Sequence, residues 1–273
     1  MIDYKWCVCD MDGTLLNSYG LISKENEIAL KRLREKGVEI IIASGRTDLM
    51  LKSFIKQLDL IDHIICCNGA VIKNIKTGEI VYEKSIDNEA VKKILNYCFD
   101  NNVNFLVYTK DMVYSNKNNP RAKRYIELNG NLPAELNIPI EFMEYDSNKF
   151  DNVDVFKILI IEKNEEKLRC YENYFSGFIN LSVVKSAKGL LDIMATGISK
   201  GNAIKALSEK LDVDLNKVIA FGDNYNDIEM FKAVGFPVAM ENSVDEIKSA
   251  AKYITYSNDE SGVAYAIENL FLR

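Results

Sequence analysis

Polar residues that could carry out chemistry follow several strand-like runs of this sequence. Asp10 and Asp12 stand two residues apart beside Gly13, directly after an apolar run. Three further clusters have the same character, namely Ser44-Gly45-Arg46, Lys200 after Gly197-Ile198-Ser199, and the run Gly222-Asp223-Asn224-Tyr225-Asn226-Asp227. In open α/β sheets, ligands bind beyond the carboxyl ends of the strands. We therefore expect these clusters to meet at one edge of a sheet and to form one site.

The acidic side chains of these clusters need positive compensation. Carboxylates that lie close together raise one another's pKa and repel, so Asp10, Asp12 and Asp223 would destabilise the fold if nothing balanced them. Oxygen ligands select a hard divalent cation such as Mg²⁺, which shares its coordination positions with a substrate phosphate. Lys200 lies at the start of a predicted helix, where free N–H groups already favour an anion. One metal, one nucleophilic carboxylate and several anion donors suit phosphoryl transfer through an aspartyl-phosphate.

The four motifs, in this order along the chain, resemble those of the haloacid dehalogenase superfamily of phosphatases. They are Asp10-Met11-Asp12-Gly13-Thr14, Ser44-Gly45-Arg46, Lys200, and Gly222-Asp223 with Asp227. The segment between the second and third motifs resembles the type IIB cap of the Cof-like sugar-phosphate phosphatases, and Asn68-Gly69-Ala70 is typical of the same branch. The resemblance implies a Mg²⁺-dependent phosphatase of small phosphorylated metabolites, with sugar phosphates as the expected class.

The resemblance also implies a role for each matching residue. Asp10 would be the nucleophile and a Mg²⁺ ligand, while Asp12 would be the general acid and then base, with its backbone carbonyl on the metal. Asp223 would complete the metal ligands of the protein, and Ser44 and Lys200 would hold the phosphoryl oxygens. The remaining implied site residues are Thr14, Gly45, Arg46, Asn68 and Asn226 for the substrate and Asp227 for the metal. Asn226 and Asp227 would support the phosphate, the lysine or a metal-bound water, and Arg46 suits either substrate contact or a surface ion pair.

The elements that must position these residues alternate between strands and helices, as in a parallel sheet covered by helices. In chain order, we predict strands at 5–9, 38–43 and 64–66, a hairpin over 70–83, mixed strands and helices over 86–188, and strands at 218–221, 237–240 and 253–255. Ser23 and Gly37 mark the start and the stop of the first helix. We predict an α/β fold with a doubly wound, Rossmann-like parallel sheet at 1–84 and 188–273, and an inserted α+β cap domain at 85–187.

Composition excludes several other classes of function. The 34 Lys and Arg residues against 40 Asp and Glu residues give a net charge of −6, which repels nucleic acid and anionic lipid. The only histidine, His63, stands at the predicted edge of a loop, so a Ser-His-Asp triad or a two-histidine zinc motif has little support. Met1–Trp6 hold no apolar signal segment, and we expect a cytoplasmic protein. The expected partner is a small-molecule phosphate ester, and no feature of the sequence indicates an oligomeric state.

Two alternatives share the acidic pocket. A phosphotransferase or mutase would pass the phosphoryl group of the same aspartyl-phosphate to a sugar hydroxyl instead of water. A non-catalytic, phosphate-responsive module that resembles a receiver domain would need about half this length and would have no evident use for Asp12 as an acid and base. Release of phosphate into water separates the phosphatase from both.

Overall fold

The computed structural model of this protein describes residues 3–59, 61–144, 146 and 148–272. Six residues of the predicted domains lie outside the described residues, namely Met1, Ile2, Leu60, Tyr145, Ser147 and Arg273. The chain forms two compact units. The first comprises Met1–Gly45, Phe54–Tyr82 and Ser199–Arg273, and the second comprises Arg46–Ser53 and Glu83–Ile198.

The secondary structure of the described residues follows the alternation expected from the sequence. The strands are β1 (Trp6–Cys9), β2 (Glu39–Ala43), β3 (Ile61–Cys66), β4 (Val71–Asn74), β5 (Ile80–Glu83), β6 (Asn104–Thr109), β7 (Val113–Ser115), β8 (Ile140–Phe142), β9 (Val155–Ile161), β10 (Leu181–Ala187), β11 (Leu190–Ala195), β12 (Val218–Gly222), β13 (Phe236–Ala239) and β14 (Tyr253–Ile254). The helices are α1 (Lys24–Glu35), α2 (Asp48–Leu58), α3 (Asn88–Asp100), α4 (Pro120–Asn129), α5 (Glu165–Ser176), α6 (Lys200–Leu211), α7 (Ile228–Ala233), α8 (Asp245–Ala250) and α9 (Gly262–Ala266). None of the helices in the described ranges combines the length and hydropathy needed to cross a bilayer.

The first unit is built on an eight-stranded sheet in the order β14-β13-β12-β1-β2-β3-β4-β5. Pairing is parallel from β14 across to β3, and β4 is antiparallel to β3. The chain runs outward from β1 through β2 and β3, and later from β12 through β13 and β14, so the direction of winding changes between β1 and β12. This change is the topological switch point at which open α/β sheets bind ligands. The predicted doubly wound α/β fold is confirmed.

The central strands of this sheet are apolar because both of their faces are covered. Every residue of β1 and β3 is buried. On one face, Val8 and Ile41 pack in a cluster with Ile204 and Leu207 of α6. Each such side chain contributes about 1.5–3 kcal/mol when it is removed from water. Burial on both faces therefore explains the unbroken apolar runs and fixes the strands that end at the polar motifs.

Side-chain caps set the first residues of two helices. The Ser23 hydroxyl accepts a hydrogen bond from the Asn26 N–H at 3.2 Å, which starts α1 where the sequence predicted. The Ser199 hydroxyl accepts one from the Asn202 N–H at 3.1 Å. The second cap makes Lys200 the first residue of α6.

The second unit is built on a six-stranded sheet in the order β10-β11-β9-β6-β7-β8. Apolar residues of α3 and α5, such as Ile94 and Phe175, share a buried cluster with residues of β6, β9 and β11. The strand β11 pairs antiparallel with β10 and β9. A boundary at residue 187 would separate β11 from its own sheet, because the turn at Gly189, with φ of +75°, joins the two strands of one hairpin. The division of the chain into core and cap domains stays a prediction.

Two elements of the second unit have no clear sequence pattern. The helix α4 begins after Asn119, whose side chain accepts hydrogen bonds from the N–H groups of Arg121 at 2.9 Å and Ala122 at 3.3 Å. Only Ala122 and Tyr125 of this helix are buried, so its apolar stripe is too narrow to stand out. The three-residue strand β8 has no buried residue and is equally hard to recognise.

We expect the substitution Gly201→Ala to destabilise the protein, although alanine favours helices. A Cβ atom at Gly201 would lie 2.2 Å from the backbone oxygen of Glu229, where α7 packs on α6. The clash outweighs the gain in helix propensity, so the free energy of unfolding should fall by about 1–2 kcal/mol. Urea denaturation measures this change. Glu209→Ala, at an exposed position of the same helix, is the control and should be nearly neutral; equal stability of the two variants would contradict the close packing.

Candidate active site

The two central motifs meet at the switch point of the first sheet. Asp10 follows β1 and Asp223 follows β12, and the two strands pair in register, with Cys9 opposite Phe221. The Asp10 N–H donates to the Phe221 carbonyl at 3.0 Å, which extends the pairing one residue beyond β1. The carboxyl ends of the two strands thus present their acidic residues side by side.

Three buried carboxylates form the centre of this site. Asp10, Asp223 and Asp227 each place a carboxylate oxygen within 4.8 Å of the others. The side chain of Asp12 lies outside this group and is exposed. Of the acidic residues predicted for the site, the structure therefore buries three together and leaves one at the surface.

Lys200 is the cation that contacts this cluster, and it is 0% exposed. Its Nζ atom donates to Asp10 Oδ1 at 2.5 Å and to Asp227 Oδ1 at 2.7 Å. Burial alone would lower the pKa of Lys200, but the charges of the two carboxylates outweigh burial and raise it above its usual value. The lysine is therefore a fixed positive charge, and one such charge faces three carboxylates.

The pKa values of Asp10 and Asp223 reflect their burial and this excess of negative charge. Burial is the largest cause that raises the pKa of Asp10 to about 7, with the charges of Asp227 and Asp12 adding to it and Lys200 opposing it. Burial, followed by the charges of Asp10 and Asp227, raises the pKa of Asp223 to about 9. In the absence of a further cation, the cluster therefore holds protons at neutral pH.

Two residues of the site hold their neighbours in place. Asp227 uses both carboxylate oxygens within the protein, because Oδ1 accepts from Lys200 and Oδ2 accepts the N–H groups of Asp223 at 3.0 Å and Asn224 at 3.2 Å. The Thr14 hydroxyl donates to Asp223 Oδ1 at 2.8 Å. Thr14, predicted to bind substrate, therefore contacts an acidic residue of the site, and Asp227, predicted to bind metal, braces both Lys200 and the loop after β12.

A second set of polar residues joins the ends of β2 and β3. The Ser44 N–H donates to the Ile65 carbonyl at 2.8 Å, and the Asn68 N–H donates to the Ser44 carbonyl at 2.9 Å. The side chain of Asn226 reaches across from the loop after β12 and donates to Asn68 Oδ1 at 3.0 Å. Ser44, Asn68 and Asn226, all predicted to bind substrate, thus form one continuous group of hydrogen bonds.

Gly45, Arg46 and His63 were also considered in the sequence analysis. Gly45 follows β2 and is half-buried. Arg46 belongs to the second compact unit. His63 lies inside β3 rather than at a loop edge, and its Nδ1 atom is 2.5 Å from Glu39 Oε1.

The residues present suit a hard divalent cation. Carboxylate oxygens are its preferred ligands, and the buried cluster holds more negative than positive charge. A cation bound by Asp10 and Asp223 would favour their ionised forms and so reverse the rise in their pKa values. The donor set and the charge imbalance point to the same kind of ion.

One segment of the site was missed by the sequence analysis. Met240–Val244 follows β13, and its Val244 N–H donates to the Asp223 carbonyl at 3.1 Å. The side chain of Asn242 donates to the Gly13 carbonyl at 2.8 Å. The signal was available, because Glu241-Asn242-Ser243 is a polar run after a buried strand, just as the four motifs are.

Comparison with known proteins agrees with this geometry. A model of the haloacid dehalogenase-like hydrolase family matches residues 7–267. The chain is 31% identical to 5-amino-6-(5-phospho-D-ribitylamino)uracil phosphatase YwtE of Bacillus subtilis, over 97% of this chain and 98% of that protein. A haloacid dehalogenase-like hydrolase from Bacteroides thetaiotaomicron is 32% identical, with a TM-score of 0.84 over 98% of this chain and 100% of that one. The HAD subclass IIB sugar phosphatase BT4131, 24% identical, shares the fold with a TM-score of 0.81 over 97% of this chain and 98% of that one. These matches confirm the resemblance that the motifs indicated.

We expect Asp223→Asn to stabilise the metal-free protein at alkaline pH. The folded-state pKa of Asp223, about 9, lies above its ordinary value of 3.8, so the folded state holds a proton that the unfolded state loses. Stability must then fall as the pH rises between these two values. In excess chelator, the variant should exceed the wild type by on the order of 1–3 kcal/mol at about pH 8 and by little near about pH 4.

Urea denaturation at the two pH values measures this difference. Asp111→Asn is the control, because Asp111 is an exposed acidic residue of the second unit. A variant that is less stable than the wild type at the higher pH would contradict the electrostatic cost assigned to Asp223.

Proposed function

The chain belongs to the haloacid dehalogenase-like hydrolase family, and we propose that it hydrolyses small phosphate monoesters with Mg²⁺ through a phosphorylated Asp10. That it is a phosphomonoester hydrolase agrees with relatives that are themselves phosphatases. The observation that carries the mechanism is the cluster of three buried carboxylates against one buried lysine, at the switch point of the sheet. Such a site attracts a cation and, through the cation and the lysine, a phosphate.

Asp10 and Asp223 would hold the metal, together with the backbone carbonyl of Asp12. When bound, Mg²⁺ supplies positive charge that offsets the repulsion between the carboxylates and the phosphate. Asp227 fits a supporting role better than that of a direct ligand, because its two oxygens already accept three hydrogen bonds. Its part is to keep Lys200 and the loop of Asp223 in position.

Asp10 would attack phosphorus. Its Oδ1 atom is held by Lys200, which fixes the orientation of the carboxylate. The lysine and the hydroxyl of Ser44 would bind the phosphoryl oxygens, whose charge grows in the transition state. Asn68 and Asn226 would orient this side of the pocket through their mutual hydrogen bond.

Asp12 suits the proton transfers. Its side chain is exposed and is separate from the buried carboxylate cluster that would hold the metal. It would give a proton to the leaving oxygen when the P–O bond breaks, and would then take one from the water that attacks the phosphorylated Asp10. Two carboxylates in different environments thus divide the work of nucleophile and acid–base catalyst.

Substrates of the sugar-phosphate class follow from the relatives. YwtE is named for a substrate with a phosphorylated ribityl chain, and a structural neighbour is named a sugar phosphatase. We extend this chemistry, a phosphate on a polyhydroxylated carbon chain, to the present protein. Phosphate release from sugar, sugar-alcohol, nucleotide and cofactor phosphates with Mg²⁺ tests it. Rapid release from nucleotides alone, or transfer to a second sugar without release, would contradict the proposal.

We expect removal of divalent cations to abolish turnover. The single buried Lys200 leaves the carboxylate cluster under-neutralised, so the substrate phosphate would meet net repulsion. Activity in excess chelator should be lost, and Mg²⁺ should restore it. Ca²⁺ should restore it poorly, because its larger and more flexible coordination shell would misplace the nucleophile. Full activity in chelator would rule out the metal-dependent mechanism.

We expect Asp10→Asn and Asp12→Asn to fail in different ways. Asp10→Asn removes the nucleophile, so no covalent adduct should form. Asp12→Asn keeps the nucleophile but cannot move a proton, so turnover of alkyl phosphates should fall by roughly 10²–10⁴-fold. An aryl phosphate needs little protonation of its leaving group, so the phosphorylated enzyme should accumulate on this variant.

Intact-mass measurement after rapid acid quench distinguishes the two variants. Asp111→Asn, at an exposed aspartate of the second unit, is the control and should behave as the wild type. A phosphate adduct on Asp10→Asn would contradict the role of Asp10 as nucleophile. Wild-type turnover of an alkyl phosphate by Asp12→Asn would contradict the role of Asp12 as acid and base.

A further inference from the structure

The segment Met240–Val244 contacts both loops that carry the acidic residues. On one side, the Met240 N–H donates to the Gly222 carbonyl at 3.3 Å and the Val244 N–H donates to the Asp223 carbonyl at 3.1 Å. On the other side, Asn242 Nδ2 donates to the Gly13 carbonyl at 2.8 Å. Gly13 is the residue after Asp12, so this segment joins the loop of the metal ligand to the loop of the acid–base residue.

A second asparagine acts on the same loop from further along the chain. Asn258 Nδ2 donates to the Leu16 carbonyl at 2.8 Å. Leu16 in turn forms an isolated β-bridge with Asp12. The Asn258 N–H donates to Asn242 Oδ1 at 2.9 Å, so the two asparagines also hold each other. The carbonyl of Gly13, the residue after Asp12, and that of Leu16, its β-bridge partner, are therefore both held by this pair of asparagines.

The backbone conformation at Gly13 shows why the hydrogen bond from Asn242 is important. Its φ of +82° is a left-handed conformation that other residues rarely adopt, and a Cβ atom there would lie 2.4 Å from Asp223 Oδ2. The turn therefore passes close to the carboxylate cluster, with the exposed Asp12 directly before Gly13 and the buried Thr14 directly after it. A small rotation of the Gly13 peptide would move Asp12 away from the leaving oxygen, since proton transfer needs hydrogen-bond reach.

We propose that Asn242 and Asn258 are positioning residues for the general acid–base Asp12. They act through the backbone of Gly13 and Leu16, whose carbonyls accept hydrogen bonds from their side chains. This inference rests on the proposed function, because it assumes that Asp12 protonates the leaving group. In this role, Asn242, in the polar run after β13, and Asn258 keep the exposed Asp12 carboxyl directed at the buried site.

Leaving-group dependence separates positioning of Asp12 from a general structural effect. Asn242→Ala should lower kcat for an alkyl phosphate by about three- to tenfold, the worth of one hydrogen bond, and for an aryl phosphate by less than about twofold. KM and the melting temperature should change little, because Asn242 is exposed. Asn258→Ala should act in the same direction. Glu246→Ala, at an exposed position of α8 outside this segment, is the control and should match the wild type on both esters.

A double-mutant cycle completes the test. If Asn242 acts through Asp12, then Asn242→Ala should have no further effect on the alkyl ester in an Asp12→Asn background. Equal losses on both esters, or an undiminished loss in that background, would overturn the inference and leave the phosphatase proposal intact. A wild-type protein that releases no phosphate from either ester would instead overturn the proposed function, and this inference with it.

Discussion

The buried ammonium group of Lys200 is the interaction on which the rest of the site depends. Without it, Asp10 and Asp227 would be two carboxylates removed from water with no positive partner, a cost of several kcal/mol for each ion. The lysine can reach both because the Ser199 cap starts α6 at residue 200 and because β1 and β12 end beside it. One helix start and two strand ends therefore together bring the charge of Lys200 to both carboxylates.

The single positive charge of Lys200 does not balance the three carboxylates of the cluster. The pKa of Asp10 stands at about 7 and that of Asp223 at about 9, with burial as the main cause of both shifts. A site whose carboxylates were fully balanced by lysines would be more stable and would attract a divalent cation less strongly. The protein thus carries an electrostatic cost at the switch point, as functional sites commonly do, and a cation bound by Asp10 and Asp223 would reduce that cost.

Sequence reasoning located this site because its residues follow strands. An apolar run that ends in a carboxylate, as at Asp10 and Asp223, identifies both the strand and the sheet edge. The sequence did not reveal that Asp227 accepts hydrogen bonds from the loop after β12, because these bonds depend on how that loop folds back on itself. The pairing of β11 with β9 was not predicted either, because β9 is distant in the chain. The role of Asn242 was missed because its partner is a backbone carbonyl, which has no sequence signature. Local pattern predicts elements and edges, whereas pairing and bracing depend on long-range contacts.

Asp10 and Asp12 differ in burial, and this difference suits the different roles proposed for them. The two residues are separated by one position, yet the first is 5% exposed and the second lies at the surface. Asp10 still pairs with the Phe221 carbonyl at the end of β1, whereas Asp12 lies in the turn that leads to Gly13. A nucleophile gains from a site without water, where Lys200 acts strongly on it. The proposed acid–base residue, Asp12, must instead reach the leaving oxygen and then the attacking water. It is exposed, and we infer that the hydrogen bonds of Asn242 and Asn258 to the backbone of the turn that follows it help to keep it in position.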